Sequence, residues 1–273
     1  MRDDRSAAPP LLEVRDISVA FRQQRGGWVQ AVQSANFFVQ HGETVALVGE
    51  SGSGKSSLAR LILCLTKPQT GEIRLEGERI DDLSKRELRR KRLLMQPVFQ
   101  DASAAFNPRR SVFQSLSEAL RCARTPPRNF RQAAEELLEQ VRLPATARML
   151  AAFPHELSGG QRQRLGIARA LAVGPRLIVA DEPLSGADLS IRGQILDLLI
   201  DIQERRGIAY LFISHDMALA RAFAHRVLVM LKGRIVEQGP ADAIFSSPQH
   251  AYTKVLVSAA VSLDDVTAAK AGA

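Results

Sequence analysis

Gly49-Glu50-Ser51-Gly52-Ser53-Gly54-Lys55-Ser56 stands between a short apolar run, Glu43-Thr44-Val45-Ala46-Leu47-Val48, and a stretch in which Leu58, Leu61, Ile62 and Leu65 recur at i, i+3, i+4 and i+7. The run predicts a buried strand and the spacing predicts a helix with one apolar face. A GxxxxGKS loop between strand and helix has a mechanical meaning. Its glycines let successive backbone N–H groups turn inward as a nest for anions, and the free N–H groups and dipole of the following helix add to the same field. Lys55 supplies a point charge for terminal phosphates, and the Ser56 hydroxyl can ligate Mg²⁺. The bland alternative, an accidental glycine-rich turn, fits the flanking strand and helix poorly. Residues 49–57 are therefore the candidate nucleotide-phosphate site: Gly49, Glu50, Ser51, Gly52, Ser53, Gly54, Lys55, Ser56 and Ser57.

Outward from this loop, 273 residues suffice for one large domain. Residues 1–10 read as a disordered lead. Residues 11–39 alternate as strands around Gly26-Gly27, and residues 71–80 return to strand character. From about 104 to 172 the chain turns rich in Ala, Leu, Glu and Arg at helical spacing, which predicts an inserted helical subdomain. Strands resume at Leu177-Ile178-Val179-Ala180 and Ala209-Tyr210-Leu211-Phe212-Ile213, with a helix between them. Val227 to Val236 reads as a hairpin turned at Lys232-Gly233. The tail, 259–273, reads as loose at its end. Strands alternating with helices predict an α/β fold with a mainly parallel sheet, an antiparallel β portion at the N-terminal side and a helical insert.

The net charge of +8 favours an acidic partner without choosing one. Part of it lies in Lys85-Arg86-Glu87-Leu88-Arg89-Arg90-Lys91-Arg92, read as a solvated helix face rather than a lipid contact. Cys64 and Cys122 make neither a metal motif nor a disulfide framework, and Cys64 reads as a buried inert thiol. That usage fits a reducing compartment. The first residues lack the apolar core of a secretory signal. No apolar run approaches the ~20 residues that span a bilayer.

A nucleotide site also needs a metal acid and a water activator. Leu177-Ile178-Val179-Ala180-Asp181-Glu182 ends an apolar strand in two carboxylates, and strand ends are where open α/β sheets hold ligands. Asp181 is the candidate for Mg²⁺ and Glu182 the candidate general base. His215 ends a later strand and can face the γ-phosphate, unlike His41, His155, His225 and His250, which read as structural or surface groups. Gln100 closes another apolar stretch; its neutral amide can bridge metal and water and then release them. Leu157-Ser158-Gly159-Gly160-Gln161 opens a helix at a good N-cap. It makes a second anion cradle, and a second cradle for one nucleotide points to a second copy of the fold.

Together these residues resemble the ATP-binding cassette (ABC) ATPase family, over about residues 11–258. Residues 49–56 resemble its Walker A loop, 177–182 its Walker B strand and 157–161 its signature. Gln100 and His215 resemble its glutamine-loop and switch-histidine positions. The resemblance implies a P-loop NTPase core that binds ATP and Mg²⁺ and hydrolyses ATP. It implies two cassettes, as a homo- or heterodimer, each lending Ser158, Gly159, Gly160 and Gln161 to the other's nucleotide. It further implies an aromatic stacked on adenine, which assigns Phe21, with Trp28 second; the alternative for Phe21 is ordinary core.

Phe106-Asn107-Pro108-Arg109 and Ser247-Pro248-Gln249-His250-Ala251-Tyr252-Thr253-Lys254-Val255-Leu256 resemble the ATPases of oligopeptide, dipeptide and nickel importers. The Asn-Pro-Arg form is similar to the second ATPase of such pairs. The C-terminal cysteine cluster of some relatives is missing. The subfamily implies a peripheral place on the cytoplasmic face of a bacterial inner membrane. Its partners would be two transmembrane permeases and, indirectly, an extracytoplasmic solute-binding protein; no nucleic acid is expected. The rival class is a soluble cassette ATPase acting on DNA or ribosomes. Two departures stand out. Ser185-Gly186-Ala187-Asp188 replaces the usual Ser-Ala-Leu-Asp, keeping Asp188. Pro97 falls where a strand N–H is usual, so that strand is expected at an edge or broken.

Overall fold

The computed structural model describes residues 9–22, 26–100, 106–186 and 188–259. Residues 1–8 of the predicted lead (1–10) and residues 260–273 of the predicted tail (259–273) lie outside the described residues, as does Ala187.

In chain order, β1 (Leu12–Arg22) and β2 (Trp28–Val39) form an antiparallel pair, and β3 (Thr44–Val48) runs into the glycine loop. Helix α1 (Lys55–Ile62) starts at the loop's end. It stops one turn sooner than the spacing predicts. Cys64 takes a positive φ of 50°, and Leu65 is 51% exposed rather than on the apolar face. Cys64 is half-buried, not fully so, and burial still pushes its thiol up to about 11, which keeps it unreactive. β4 (Thr70–Leu75) and β5 (Glu78–Arg79) complete a four-stranded antiparallel sheet in the order β2-β1-β4-β5.

The basic run is α2 (Lys85–Lys91), capped by Ser84 and Glu87 and with no buried residue, as a solvated face requires. β6 (Met95–Phe99) follows. Then α3 (Val112–Cys122), α4 (Phe130–Gln140), α5 (Ala147–Ala151) and α6 (Gly159–Leu171) make the helical insert. The chain then alternates: β7 (Leu177–Asp181), α7 (Leu189–Arg206), β8 (Ala209–Ser214), α8 (Met217–Phe223) and β9 (Arg226–Leu231). β10 (Arg234–Pro240) and α9 (Ala241–Ser246) follow, and residues 251–259 are helical.

The main sheet has the order β10-β9-β3-β8-β7-β6. Its strands are parallel from β9 to β6, and β10 turns back antiparallel through Lys232 and Gly233, both at positive φ, a two-residue hairpin turn. β6 is the edge strand, so Pro97 interrupts no ladder on its far side and the strand runs unbroken against β7.

Period-two alternation sends opposite faces of this sheet into different cores. Val45, Leu47, Val179, Leu211 and Met230 meet α1 and the antiparallel sheet. Ile178, Ala180, Tyr210 and Phe212 meet the helical insert and α7. Ala46, Val48, Val227 and Val229 meet α8, α9 and the C-terminal helix. Each such fully buried Leu, Ile or Val contributes about 1.5–3 kcal/mol. Together they fix the sheet, and its C-terminal edge becomes the platform for the glycine loop, Asp181, Glu182, His215 and Gln100.

Candidate functional site

Register decides what meets at that edge. Val48 pairs with Ser214, Asp181 with Ile213 and Phe99 with Asp181. The residues just beyond these positions are the glycine loop, His215, Glu182 and Gln100. Four separate parallel strands therefore deliver the sequence-predicted groups to one rim, outside the strand C-termini.

The loop is bent as a phosphate cradle must be. Gly49, Gly52 and Gly54 take φ of 152°, 79° and 109°. Gly54 is also crowded: a Cβ there would meet the Ala31 carbonyl oxygen at 2.2 Å. Helix α1 begins at Lys55 with Gly54 as its N-cap, no side-chain cap and no acidic residue in its first turn. Its N-terminal field is thus left for an external anion. Lys55 is buried and donates from Nζ to the Gly49 and Glu50 carbonyl oxygens at 2.7 and 2.8 Å. Burial pulls the ammonium below the usual lysine range, and Glu182, Asp181 and Glu50 oppose that.

Ser56 Oγ donates to Asp181 Oδ1 at 3.3 Å, so the hydroxyl and the strand-end carboxylate converge. Burial raises the Asp181 carboxyl above the usual aspartate range, against the pull of the Ser56 hydroxyl. These two hard oxygens fit Mg²⁺, which takes one or two carboxylates and completes its shell with water and phosphate oxygens. Among the described residues no three His, Cys, Asp or Glu gather into a metal cage.

Glu182 sits at φ 49°, a left-handed backbone rare for a residue with a Cβ, with its N–H bonded to the Ile213 carbonyl at 2.9 Å. That turn sends the carboxylate to His215, whose Nδ1 is 3.3 Å from Glu182 Oε1. His215 is held between fixed neighbours. Ser214 is buried and its Oγ accepts from Asp216 N, and Asp216 caps α8 through Ala218 and Leu219. Gln100 Nε2 donates to Ser185 Oγ at 3.0 Å, which ties the end of β6 to the loop after Glu182. Gly186 in that loop has φ 76°, and nothing crowds it. The glycine there answers to backbone conformation, and Asp188 follows, exposed, at the N-cap position of α7.

A groove of about 600 Å³ runs over the loop, lined in part by Gly52, Lys55, Ser56, Ser57 and Glu182. Its other wall is Val29, Gln30, Ala31 and Gln33 of β2 with Lys232 and Gly233. Phe21 is 42% exposed, so it is not core; it pairs across the strands with Val29 of that wall. Trp28 is more exposed still, at 69%, and pairs with Arg22.

Ser158, Gly159, Gly160 and Gln161 do not line this groove. Ser158 caps α6 reciprocally with Gln161, and a Cβ on Gly159 would meet nothing. The capped start of α6 is thus formed with Gly159 open and Gly160 against Ile191, away from the groove over the glycine loop.

Sequence reasoning missed two supports. Gly233 N donates to the Ser53 carbonyl at 2.8 Å, so the β9–β10 turn braces the loop. Tyr252 Oη accepts from Glu50 N at 2.9 Å. The hairpin was legible in the chain, but its contact with the loop was not.

Residues 32–185 match the family described as ABC transporter, and residues 236–272 match the oligopeptide/dipeptide transporter C-terminal region. The chain is 49% identical over 233 residues to a probable peptide ABC transporter ATP-binding protein, y4tS, of Sinorhizobium fredii, covering 85% of this chain and 65% of that protein. It is 47% identical over 258 residues to the glutathione import ATP-binding protein GsiA of Escherichia coli, covering 92% of this chain and 41% of that one. The chain thus spans less than two thirds of the curated relatives it matches. Among solved structures, cbiO1 of Clostridium perfringens, part of the ABC transporter complex cbiONQ, superposes with TM-score 0.76 at 27% identity, over 87% of this chain and 91% of that one. The dimeric cassette MJ0796, bound to ADP and Pi in a post-hydrolysis state, superposes with TM-score 0.74 at 28% identity, over 84% and 98%.

Proposed function

This chain belongs to the ABC transporter family, and from that membership we propose that it is the ATP-binding and ATP-hydrolysing subunit of a bacterial importer of peptides. The observation that carries the reading is the meeting of Lys55, Ser56, Asp181, Glu182 and His215 at one sheet edge above an anion cradle.

In this reading, the N–H groups of residues 52–57 and the Lys55 ammonium bind the β- and γ-phosphates of ATP. Ser56 and Asp181 hold Mg²⁺, which supplies charge neutralisation at the phosphates when bound. Glu182 accepts the proton of the attacking water. His215 orients Glu182 and meets the γ-phosphate side, and Gln100 senses the site through the loop at Ser185. Phe21 stacks on adenine beside Val29. The open Ser158-Gly159-Gly160-Gln161 cradle serves the nucleotide of a second cassette, with Asp188 near that junction. The dimeric state of the MJ0796 cassette supports this arrangement.

Peptides are the proposed cargo because the C-terminal match is named for oligopeptides and dipeptides, one relative for a peptide transporter and the other for import of glutathione, chemically a tripeptide. Nickel rests on the sequence resemblance alone, and the comparisons give no support to action on DNA or ribosomes. No helix among the described residues is long and apolar enough to cross a membrane. The importer reading proposes a peripheral place on the cytoplasmic face, bound to two permeases and through them to an external solute-binding protein. The test is phosphate release from MgATP by the chain assembled with its permeases in liposomes, with peptide uptake measured in parallel. Uptake coupled to hydrolysis is expected; an assembled complex that releases no phosphate overturns the reading.

A further inference from the structure

The peptide group joining Gly49 to Glu50 is held at both ends. Its carbonyl oxygen accepts from Lys55 Nζ at 2.7 Å, and its N–H donates to Tyr252 Oη at 2.9 Å. Tyr252 belongs to the C-terminal helix, residues 251–259, more than two hundred residues further along the chain.

That helix is itself pinned. Glu237 of β10 accepts from the N–H groups of Gln249 and His250 at 2.8 and 3.0 Å, and His250 Nδ1 accepts from Tyr252 N at 3.1 Å. These bonds satisfy amides that a helix start leaves unpaired, and they fix where the ring of Tyr252 goes. Tyr252, Leu256 and Val257 pack on the cluster that contains Ala46 and Val48 of β3, the strand that feeds the loop. Burial pushes the Tyr252 hydroxyl above the usual tyrosine range, so it stays neutral.

The two holds differ in permanence. Lys55 must leave its backbone carbonyls to reach a phosphate, which frees one end of the peptide. Gly49 has no Cβ to restrict rotation on that side. The Tyr252 bond does not depend on Lys55 and lies on the opposite end of the same peptide.

We propose that Tyr252 is a positioning residue for the phosphate loop: its hydroxyl keeps the Gly49–Glu50 peptide in the orientation that nucleotide binding needs while Lys55 moves to the phosphates. This rests on the reading of residues 49–57 as the ATP site. The C-terminal segment thereby acts on nucleotide affinity without touching nucleotide.

The experiment uses the full chain and compares Tyr252→Phe, Leu256→Ala and Lys55→Ala with the parent. It reads the dissociation constant and KM for MgATP, kcat, and hydrogen exchange at the Glu50 amide. Loss of one hydrogen bond to an otherwise unpaired N–H corresponds to about 3–10-fold. Tyr252→Phe should weaken MgATP binding and raise KM by that factor, hold kcat within about twofold, and speed exchange at Glu50. Leu256→Ala, which loosens the same helix but keeps the hydroxyl, should not reproduce that split. Parent-like affinity and parent-like Glu50 exchange in Tyr252→Phe overturn the proposal while leaving the ATP-site reading intact. So does the same split in Leu256→Ala, which would assign the effect to packing. Undiminished MgATP binding by Lys55→Ala overturns the ATP-site reading, and the proposal with it.

Discussion

His215 Nδ1 stands 3.3 Å from Glu182 Oε1, across the mouths of adjacent strands β8 and β7. The contact engages one carboxylate oxygen of Glu182, and in the proposed reading the other receives a proton from water. Glu182→Gln keeps size and hydrogen bonding but cannot take that proton. Its kcat should fall by about 10²–10⁴-fold while MgATP binding is retained. Single-turnover phosphate release and equilibrium nucleotide binding on the same preparation check both halves. Hydrolysis at the parent rate would remove Glu182 from the role of base.

Lys55 is a buried ammonium whose named partners are the carbonyl oxygens of Gly49 and Glu50. A charge-assisted bond to phosphate is worth roughly 1.5–3 kcal/mol. Lys55→Ala should therefore weaken MgATP binding by about 10- to 100-fold. Titration with a fluorescent ATP analogue reads this directly, and unchanged affinity would separate the lysine from the phosphates.

Much of this site was legible because its signals are local. Gly49 through Ser56, Asp181-Glu182 and the Ser158 cap are each specified within a few residues, and continuous apolar runs alternating with helices placed β3, β7 and β8 in one mainly parallel sheet. Pro97 left β6 either at an edge or broken, and the sheet order places it at the edge, unbroken. What was not legible depends on distant packing. Leu65 fits the helical period, yet α1 ends at Ile62, and Leu65 turns outward once Cys64 adopts its left-handed backbone. Tyr252 and Gly233 reach the loop only because β9, β10 and the C-terminal helix fold back beside β3, a relation that no residue spacing encodes. Phe21 could not be sorted between core and surface from the sequence, since its place near the end of β1 is set by the strand register.

Asp181 gives a prediction about pH. Burial is the largest influence on its carboxyl and raises it above the ordinary value; the Ser56 hydroxyl lowers it, Glu182 raises it and Lys55 lowers it. The folded chain thus holds this proton more tightly than the unfolded chain. Its contribution to stability is full below the unfolded aspartate pKa and is lost as pH rises through the folded one. Asp181→Asn removes the buried charge. At neutral pH the nucleotide-free variant should melt higher, by roughly 2–4 °C for each kcal/mol relieved, and the gain should vanish toward acid. Mg²⁺-dependent phosphate release should fall to background in the same variant. Melting curves between acid and neutral pH decide it: a variant less stable than the parent at neutral pH contradicts the desolvation account.

Ser158 caps α6 with Gly159 open and Gly160 against Ile191, but residues 158–161 do not line the groove over the glycine loop. If the cradle serves a second copy, defects in the two motifs must complement each other. A Lys55→Ala chain lacks its own phosphate lysine but offers a good signature. A chain carrying Ser158→Arg keeps its lysine but lends its partner a blocked signature. In a mixed dimer one site combines both defects and the other combines none. Each variant alone should show background ATP hydrolysis, and mixing them should restore activity that rises with the fraction of mixed dimer. The measurement is phosphate release across a mixing series, with the dimer fraction read by native mass spectrometry. If Ser158→Arg alone retains full activity, the signature does not contact a nucleotide. If the mixture stays at background although mixed dimers form, each chain completes its site by itself and the two-copy geometry is wrong.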